Sequence, residues 1–196
     1  MLSRKTYFIR EHVWLLKLSD TYDILDPETQ KQIGVAKEEP GLLVHLLRLA
    51  VDKHFLPTKV VVYQGDDPED ESDVQFSIHR GITLLRSKVI IRDADGNEVG
   101  WLQSKMFTLG GAFGVFDASG DEVATVKGDW KGWNFRFLDR LEKEIGTITK
   151  KWAGLGKELF TSADNYLIAL NEKSSPEEAM LLLAAGLAVD IVYKEK

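Results

Sequence analysis

Two stretches of this chain are dense enough in polar side chains to do chemistry, and their charges are opposite. Asp66 to Asp73 (DDPEDESD) places six acids in eight positions, the oxygen-rich composition a hard cation such as Ca²⁺ would take. A Ca²⁺ loop also needs oxygens alternating along a defined turn and a terminal Glu, so the run reads better as a solvated loop. Lys127 to Lys157 holds eight Lys or Arg against four acids, with Trp130, Trp133 and Trp152 inside it. That mixture suits an anionic membrane interface, where each basic residue contributes about 1 kcal/mol and tryptophan prefers the interfacial layer. Lys127, Lys131, Lys150, Lys151, Trp152 and Lys157 are therefore candidate lipid-binding residues, provided the fold gathers them on one rim. The competing reading makes these lysines ordinary outward strand residues and the tryptophans core.

Catalytic constellations are missing. His12, His45, His54 and His79 show no His-x-x-x-His spacing, and neither an HExxH motif nor a Gly-x-Ser-x-Gly elbow occurs. Gly154-Leu155-Gly156-Lys157 falls short of a phosphate loop, because Lys151 stands at its first glycine and Glu158 where Ser or Thr belongs. Gly110-Gly111-Ala112-Phe113-Gly114 lacks the Gly-x-Gly spacing of a dinucleotide fingerprint and joins apolar strands, which fits a bulge or close packing. A non-enzymatic protein is expected.

Composition narrows the class further. A net charge of −6 opposes general nucleic-acid binding. With no cysteine there are no disulfides, thiolate metal sites or Cys nucleophiles, which fits a reducing compartment. Glu11, His12 and Lys17 interrupt any signal-peptide h-region. A cytoplasmic protein, peripheral at a membrane if bound there at all, is the expectation. The 196 residues are read as one domain spanning 1–196.

The elements that must position these residues are mostly strands. One pattern occurs four times: Ile24-Leu25-Asp26 with Ile33-Gly34, Ile91-Arg92-Asp93 with Val99-Gly100, Val115-Phe116-Asp117 with Val123-Ala124, and Phe137-Leu138-Asp139 with Ile145-Gly146. Turn formers lie between the halves, so each unit reads as a β-hairpin whose Asp opens the turn. Further strands are expected at Thr6–Ile9, Lys59–Tyr63, Val74–Ile78, Leu84–Ile91 and Tyr166–Leu170, with an early helix at about 42–53. At the end of the chain, Ser175-Pro176-Glu177-Glu178 reads as an N-cap, a first-turn proline and a capping box. Ala179 to Val189 then runs without a polar side chain. A helix so apolar has no face for water. At about 22 Å it falls short of a bilayer core of ~30 Å. The expected fold is mostly β, a closed antiparallel barrel of about twelve strands around this central helix, at about 176–190.

Several words of the sequence resemble a known family. Lys150-Lys151-Trp152-Ala153-Gly154, Glu158 to Tyr166, and Ala188-Val189-Asp190-Ile191-Val192-Tyr193 are similar to the C-terminal half of phospholipid scramblases and bacterial scramblase-like proteins. Gly110 to Asp117 and Trp133 to Phe137 fit the same family, and the resemblance is strongest from about Leu84 to Tyr193. It implies the tubby C-terminal-like barrel shared with LURP-one-related proteins, in agreement with the pattern of strands. It also implies a role at anionic lipid or with a protein partner, or, alternatively, a membrane-associated scramblase anchored by the C-terminal helix. The family's calcium segment falls by similarity between Ser162 and Asn171, where only Asp164, Asn165 and Asn171 supply candidate side-chain ligands. Ser162 stands where the family carries an acid, so the set is small for Ca²⁺. Animal scramblases, which this chain resembles in the barrel, add a proline-rich N-terminal region and a cysteine cluster for lipidation, and this sequence shows neither.

Overall fold

The computed structural model describes residues 1–12, 19–47, 56–66, 71–81, 88–105, 112–129, 133–150 and 165–193. Twelve strands close into one antiparallel barrel. In chain order they are β1 (Thr6–Glu11), β2 (Thr21–Leu25), β3 (Gln32–Glu38), β4 (Thr58–Gln64), β5 (Val74–Arg80), β6 (Lys88–Asp93), β7 (Glu98–Ser104), β8 (Ala112–Asp117), β9 (Glu122–Asp129), β10 (Asn134–Leu138), β11 (Glu144–Thr149) and β12 (Tyr166–Leu170). Each strand pairs with its sequence neighbours, and β1 pairs with β12 to close the ring. Closure leaves no edge strand to template aggregation. A short helix, α1 (Leu42–Leu47), follows β3, and the helix α2 (Pro176–Tyr193) ends the described chain.

The fourfold repeat is a bulged hairpin. In β2–β3, β6–β7, β8–β9 and β10–β11 the register slips by one residue beyond the turn. The extra residues are Ile33, Val99, Val123 and Ile145, the β-branched member of each repeat, and all four lean on the core. The repeating Asp organises the turn itself. Asp117 Oδ1 accepts the backbone N–H groups of Ser119 and Asp121, and Asp139 Oδ1 those of Leu141 and Lys143, at 2.8–3.0 Å. Asp26 and Asp93 make equivalent bonds. Just beyond, the chain takes a positive φ at Gln30, Gly96, Gly120 and Glu142, the left-handed step that lets so tight a turn close.

These bonds hold two carboxylates below the usual range. Thr29 N–H, with Glu28 N–H and the Arg4 guanidinium, lowers Asp26, and the Asn97 side chain, with its backbone N–H, lowers Asp93. A depressed folded-state pKa adds stability above the ordinary Asp value near 4, and that stability is lost as pH falls through the lowered value. Urea midpoints measured from pH 6 to pH 2 should therefore fall more steeply for the parent than for an Asp26→Asn/Asp93→Asn protein. Parallel curves would refute the assignment.

Helix α2 fills the barrel. Ser175 N–H donates to Glu178 Oε2 at 2.9 Å and Glu178 N–H to Ser175 Oγ at 3.1 Å, the expected capping box. Residues 181–190 are then buried on every side. α2 touches β12 and also β5 to β8, and β6 stands across the ring from β12. The helix therefore occupies the lumen, and the lumenal core is one cluster of its side chains with the inward residues of the strands, beside two smaller clusters at Phe8, Leu25 and Leu167 and at Val35, Val61 and Tyr63. It runs to Tyr193, three residues past the expected end, carrying Asp190 inside the barrel rather than at its mouth. The early helix is described only as Leu42–Leu47; residues 48–53 of the expected range lie outside the described residues.

Candidate functional site: the two rims of the barrel

Strand alternation gives the barrel two unlike ends. At one lie the four Asp turns and the entry of α2; each turn carries two acidic residues, as in Asp117 with Asp121 and Asp139 with Glu142. This is the turn rim. At the other, the connection rim, the chain passes from β1 to β2, β3 to β4, and so on to β11 and β12.

Trp133 and Lys150 face each other on the connection rim, at the start of β10 and just past the end of β11. Lys150 N–H donates to the Trp133 carbonyl at 3.4 Å, and Lys150 Nζ stands 4.3 Å from the Trp133 ring centroid. An exposed cation–π pair of this kind contributes about 0.5–1 kcal/mol. The indole is held from beneath by Phe135, edge-on at 5.8 Å, and by Tyr166 at 5.5 Å. Trp133 adopts φ 47°, left-handed for a bulky residue, a strain that the packing beneath it must offset. The result is an ammonium and an aromatic ring presented together at a rim.

The other sequence candidates do not all join them. Lys127 lies on the outer wall of β9 with Nζ 2.7 Å from Glu142, a turn-rim residue, so its charge points away from Lys150 and is neutralised. Lys131, Lys151, Trp152, Lys157 and Asp164 lie outside the described residues; the strand ends flanking them are on the connection rim. Asn165 and Asn171 sit at opposite ends of β12, roughly 20 Å apart at ~3.3 Å per residue. They cannot share one cation with ligand distances near 2.3–2.6 Å. Asn171 is spent on its own turn, accepting from Lys173 N–H at 3.1 Å. Among the described residues no cluster of His, Asp or Glu is placed to hold a metal.

A feature the sequence reading missed lies inside the connection rim. Glu11, Tyr22, Glu38, Thr58, Arg80 and Tyr166 occupy inward strand positions around the C-terminal end of α2, all buried. Arg80 Nη2 donates to Thr58 Oγ1 at 3.0 Å, and Glu38 Oε2 accepts Asp20 N–H at 3.1 Å. Asp190, 1% exposed, faces Tyr22 and Tyr166. Burial first, then the Asp190 charge, pushes both phenols well above their ordinary value. The signal was available as a break in alternation: Tyr7 and Ile9 are followed at the next inward position by Glu11, and Phe76 and Ile78 by Arg80.

The outer wall also carries a polar cleft of about 250 Å³ lined by Lys105, Glu122, Thr125, Asp139, Arg140 and Glu142. Its charges are satisfied locally: Lys105 pairs with Glu122, and Arg140 with Asp121 at 2.8 Å. A Cβ on Gly114 would stand 2.7 Å from the Phe116 ring and 3.3 Å from Glu122 Oε1, and the Lys105 amine also reaches Thr125 Oγ1 at 2.9 Å.

A family model described as Scramblase matches residues 72–196, from just before β5 to the end of the chain, and so spans β5 to β12 and the lumenal helix. The chain belongs to the Scramblase family. No curated protein and no solved structure matches it. The expected resemblance and the closed barrel are thus both present, and the Scramblase family is not in general one of catalytic enzymes. No helix among the described residues of this Scramblase-family chain is long and apolar enough to cross a membrane.

Proposed function

We propose that this Scramblase-family barrel binds anionic lipid headgroups reversibly through its connection rim, without covalent catalysis. The observation that carries the reading is the Trp133–Lys150 pair, a cation seated on an interfacial aromatic at the mouth of the barrel. Tryptophan favours the headgroup layer and lysine the anionic surface, so the two act in the same plane. Lys131, Lys151, Trp152 and Lys157 belong to connections that leave and rejoin strands at this rim, and they are proposed as further contacts. The net charge of −6 is no obstacle, since charges act locally within a Debye length of about 10 Å. A cytoplasmic, membrane-peripheral location is part of the proposal. Anchoring by α2 is disfavoured, because the helix would have to abandon a lumen in which residues 181–190 are all buried.

Co-sedimentation with neutral, phosphatidylserine and phosphoinositide vesicles at low and moderate salt tests this. Binding to anionic vesicles should weaken with salt, and Lys150→Glu should weaken it roughly thirtyfold, from about 1 kcal/mol per unit charge reversed across two units. A folded protein that ignores anionic vesicles would end the lipid reading and leave a protein partner as the ligand class.

A further inference from the structure

We infer that α1 is the element that enters the lipid: Leu42, Leu46 and Leu47 insert into an anionic bilayer while the barrel stands on its connection rim. This rests on the lipid reading above and specifies its geometry. α1 follows the end of β3, so it lies on the connection rim. Leu42, Leu46 and Leu47 are exposed by 89%, 66% and 39%, and Leu42 and Leu46, four residues apart, share one helix face. Isolated exposed leucines need no explanation, but three within one short helix at a rim do.

The position of α1 points to a flat partner. In the ring order β3 and β4 stand nearly opposite β10 and β11, the strands that present Trp133 and Lys150. For twelve strands spaced ~4.8 Å apart and tilted, the two points are on the order of 20 Å from each other. A planar bilayer reaches both at once, pairing headgroup phosphates with Lys150 and acyl chains with the leucines. Charge fixes which end faces it. The four Asp turns together carry eight acids against Lys31, Arg140 and Lys143, so the turn rim would be repelled by an anionic surface, whereas the connection rim offers Lys150.

The other large exposed hydrophobic among the described residues is Leu141, 87% exposed between Asp139 and Glu142 on the turn rim. It is a control placed by the fold itself. Because the chain has no cysteine, Leu46→Cys and Leu141→Cys can each be labelled at a single site with the environment-sensitive fluorophore NBD. With phosphatidylserine vesicles, the label at position 46 should brighten and shift to the blue while the label at 141 stays as in water. A Leu42→Ser/Leu46→Ser protein, altered only at exposed positions, should bind on the order of a hundredfold more weakly. Leu141→Ser should bind as the parent does. Should the parent bind while position 46 remains in water, insertion is overturned and an electrostatic rim contact survives. A shift at 141 alone would overturn the orientation. No binding by the parent would instead remove the lipid reading itself.

Discussion

Leu183→Ala is expected to lower the unfolding free energy by about 3 kcal/mol, and Leu183→Lys to abolish the folded barrel. Leu183 is fully buried near the middle of α2, enclosed by the inward faces of the strands. Truncating a leucine in such a site removes its transfer free energy and leaves a cavity, which together cost about 2–5 kcal/mol. The lumen is poorly able to collapse around that cavity, since its wall is a hydrogen-bonded ring that cannot contract strand by strand. A lysine there is worse: an unpaired ammonium in an apolar interior costs several kcal/mol, comparable to a domain's whole stability of about 5–15 kcal/mol. Urea unfolding followed by tryptophan fluorescence measures the first variant, and size-exclusion chromatography the second. The same pair of variants separates enclosure from anchoring. A helix that sat in lipid would lose membrane partitioning on Leu183→Ala and keep its barrel melt. An unchanged melt would therefore count against the helix as core.

The sequence made the barrel legible because its local signals repeat. The Asp, the turn formers and the β-branched residue six or seven positions later specify one bulged hairpin, and the chain writes it four times. The helix was legible for a different reason: residues apolar on every face leave only enclosure as a stable outcome. What did not show was anything set by contacts distant in sequence. Lys127 looked available until the β10–β11 turn brought Glu142 beside it. Asn165 and Asn171 were grouped as ligand candidates by the family resemblance, although the expected Tyr166–Leu170 strand, now seen as β12, holds them at its two ends. Glu11 entered the sequence reading only as a charge that interrupts an apolar run, and Glu38 drew no reading at all. Their burial appears only once closure of the barrel turns these strand positions inward, at the level where α2 carries Asp190 beside Tyr22 and Tyr166. Trp133 was noticed for its type, but its partner Lys150 lies on a neighbouring strand, and only the β10–β11 register joins them.

Gly100→Val is expected to cost about 3 kcal/mol or more, and even Gly100→Ala should be clearly destabilising. The repeat places a small residue directly after each bulge: Gly34, Gly100, Ala124 and Gly146. A Cβ on Gly100 would stand 2.2 Å from the Phe116 carbonyl oxygen and 2.8 Å from Leu181 Cδ2. The leucine could rotate, but the carbonyl belongs to β8, and moving it would disturb the β7–β8 ladder beside the bulge at Val115 and Phe116. Gly34 and Gly146 meet carbonyls in the same way, those of Tyr63 and Ala169, each at 2.7 Å. The slip that seats the β-branched residue thus drives the following Cα against the next strand's backbone, and a glycine is the least costly occupant. Overpacking alone typically costs 1–3 kcal/mol; a backbone neighbour places Gly100 at the top of that range or beyond. Gly81 has nothing within 4 Å of an added Cβ, so Gly81→Ala is the control and should leave the urea midpoint nearly unchanged. Gly186 falls between the two. Its added Cβ would meet Ile168 Cδ1 at 2.3 Å, but that side chain can turn, and alanine recovers about 1 kcal/mol of helix propensity. The expected order of loss is Gly100→Ala, then Gly186→Ala, then Gly81→Ala, with Gly100→Val below them all. If Gly186→Ala proved the most damaging of the alanine series, the helix and not the bulged hairpin would be the tighter joint of the barrel.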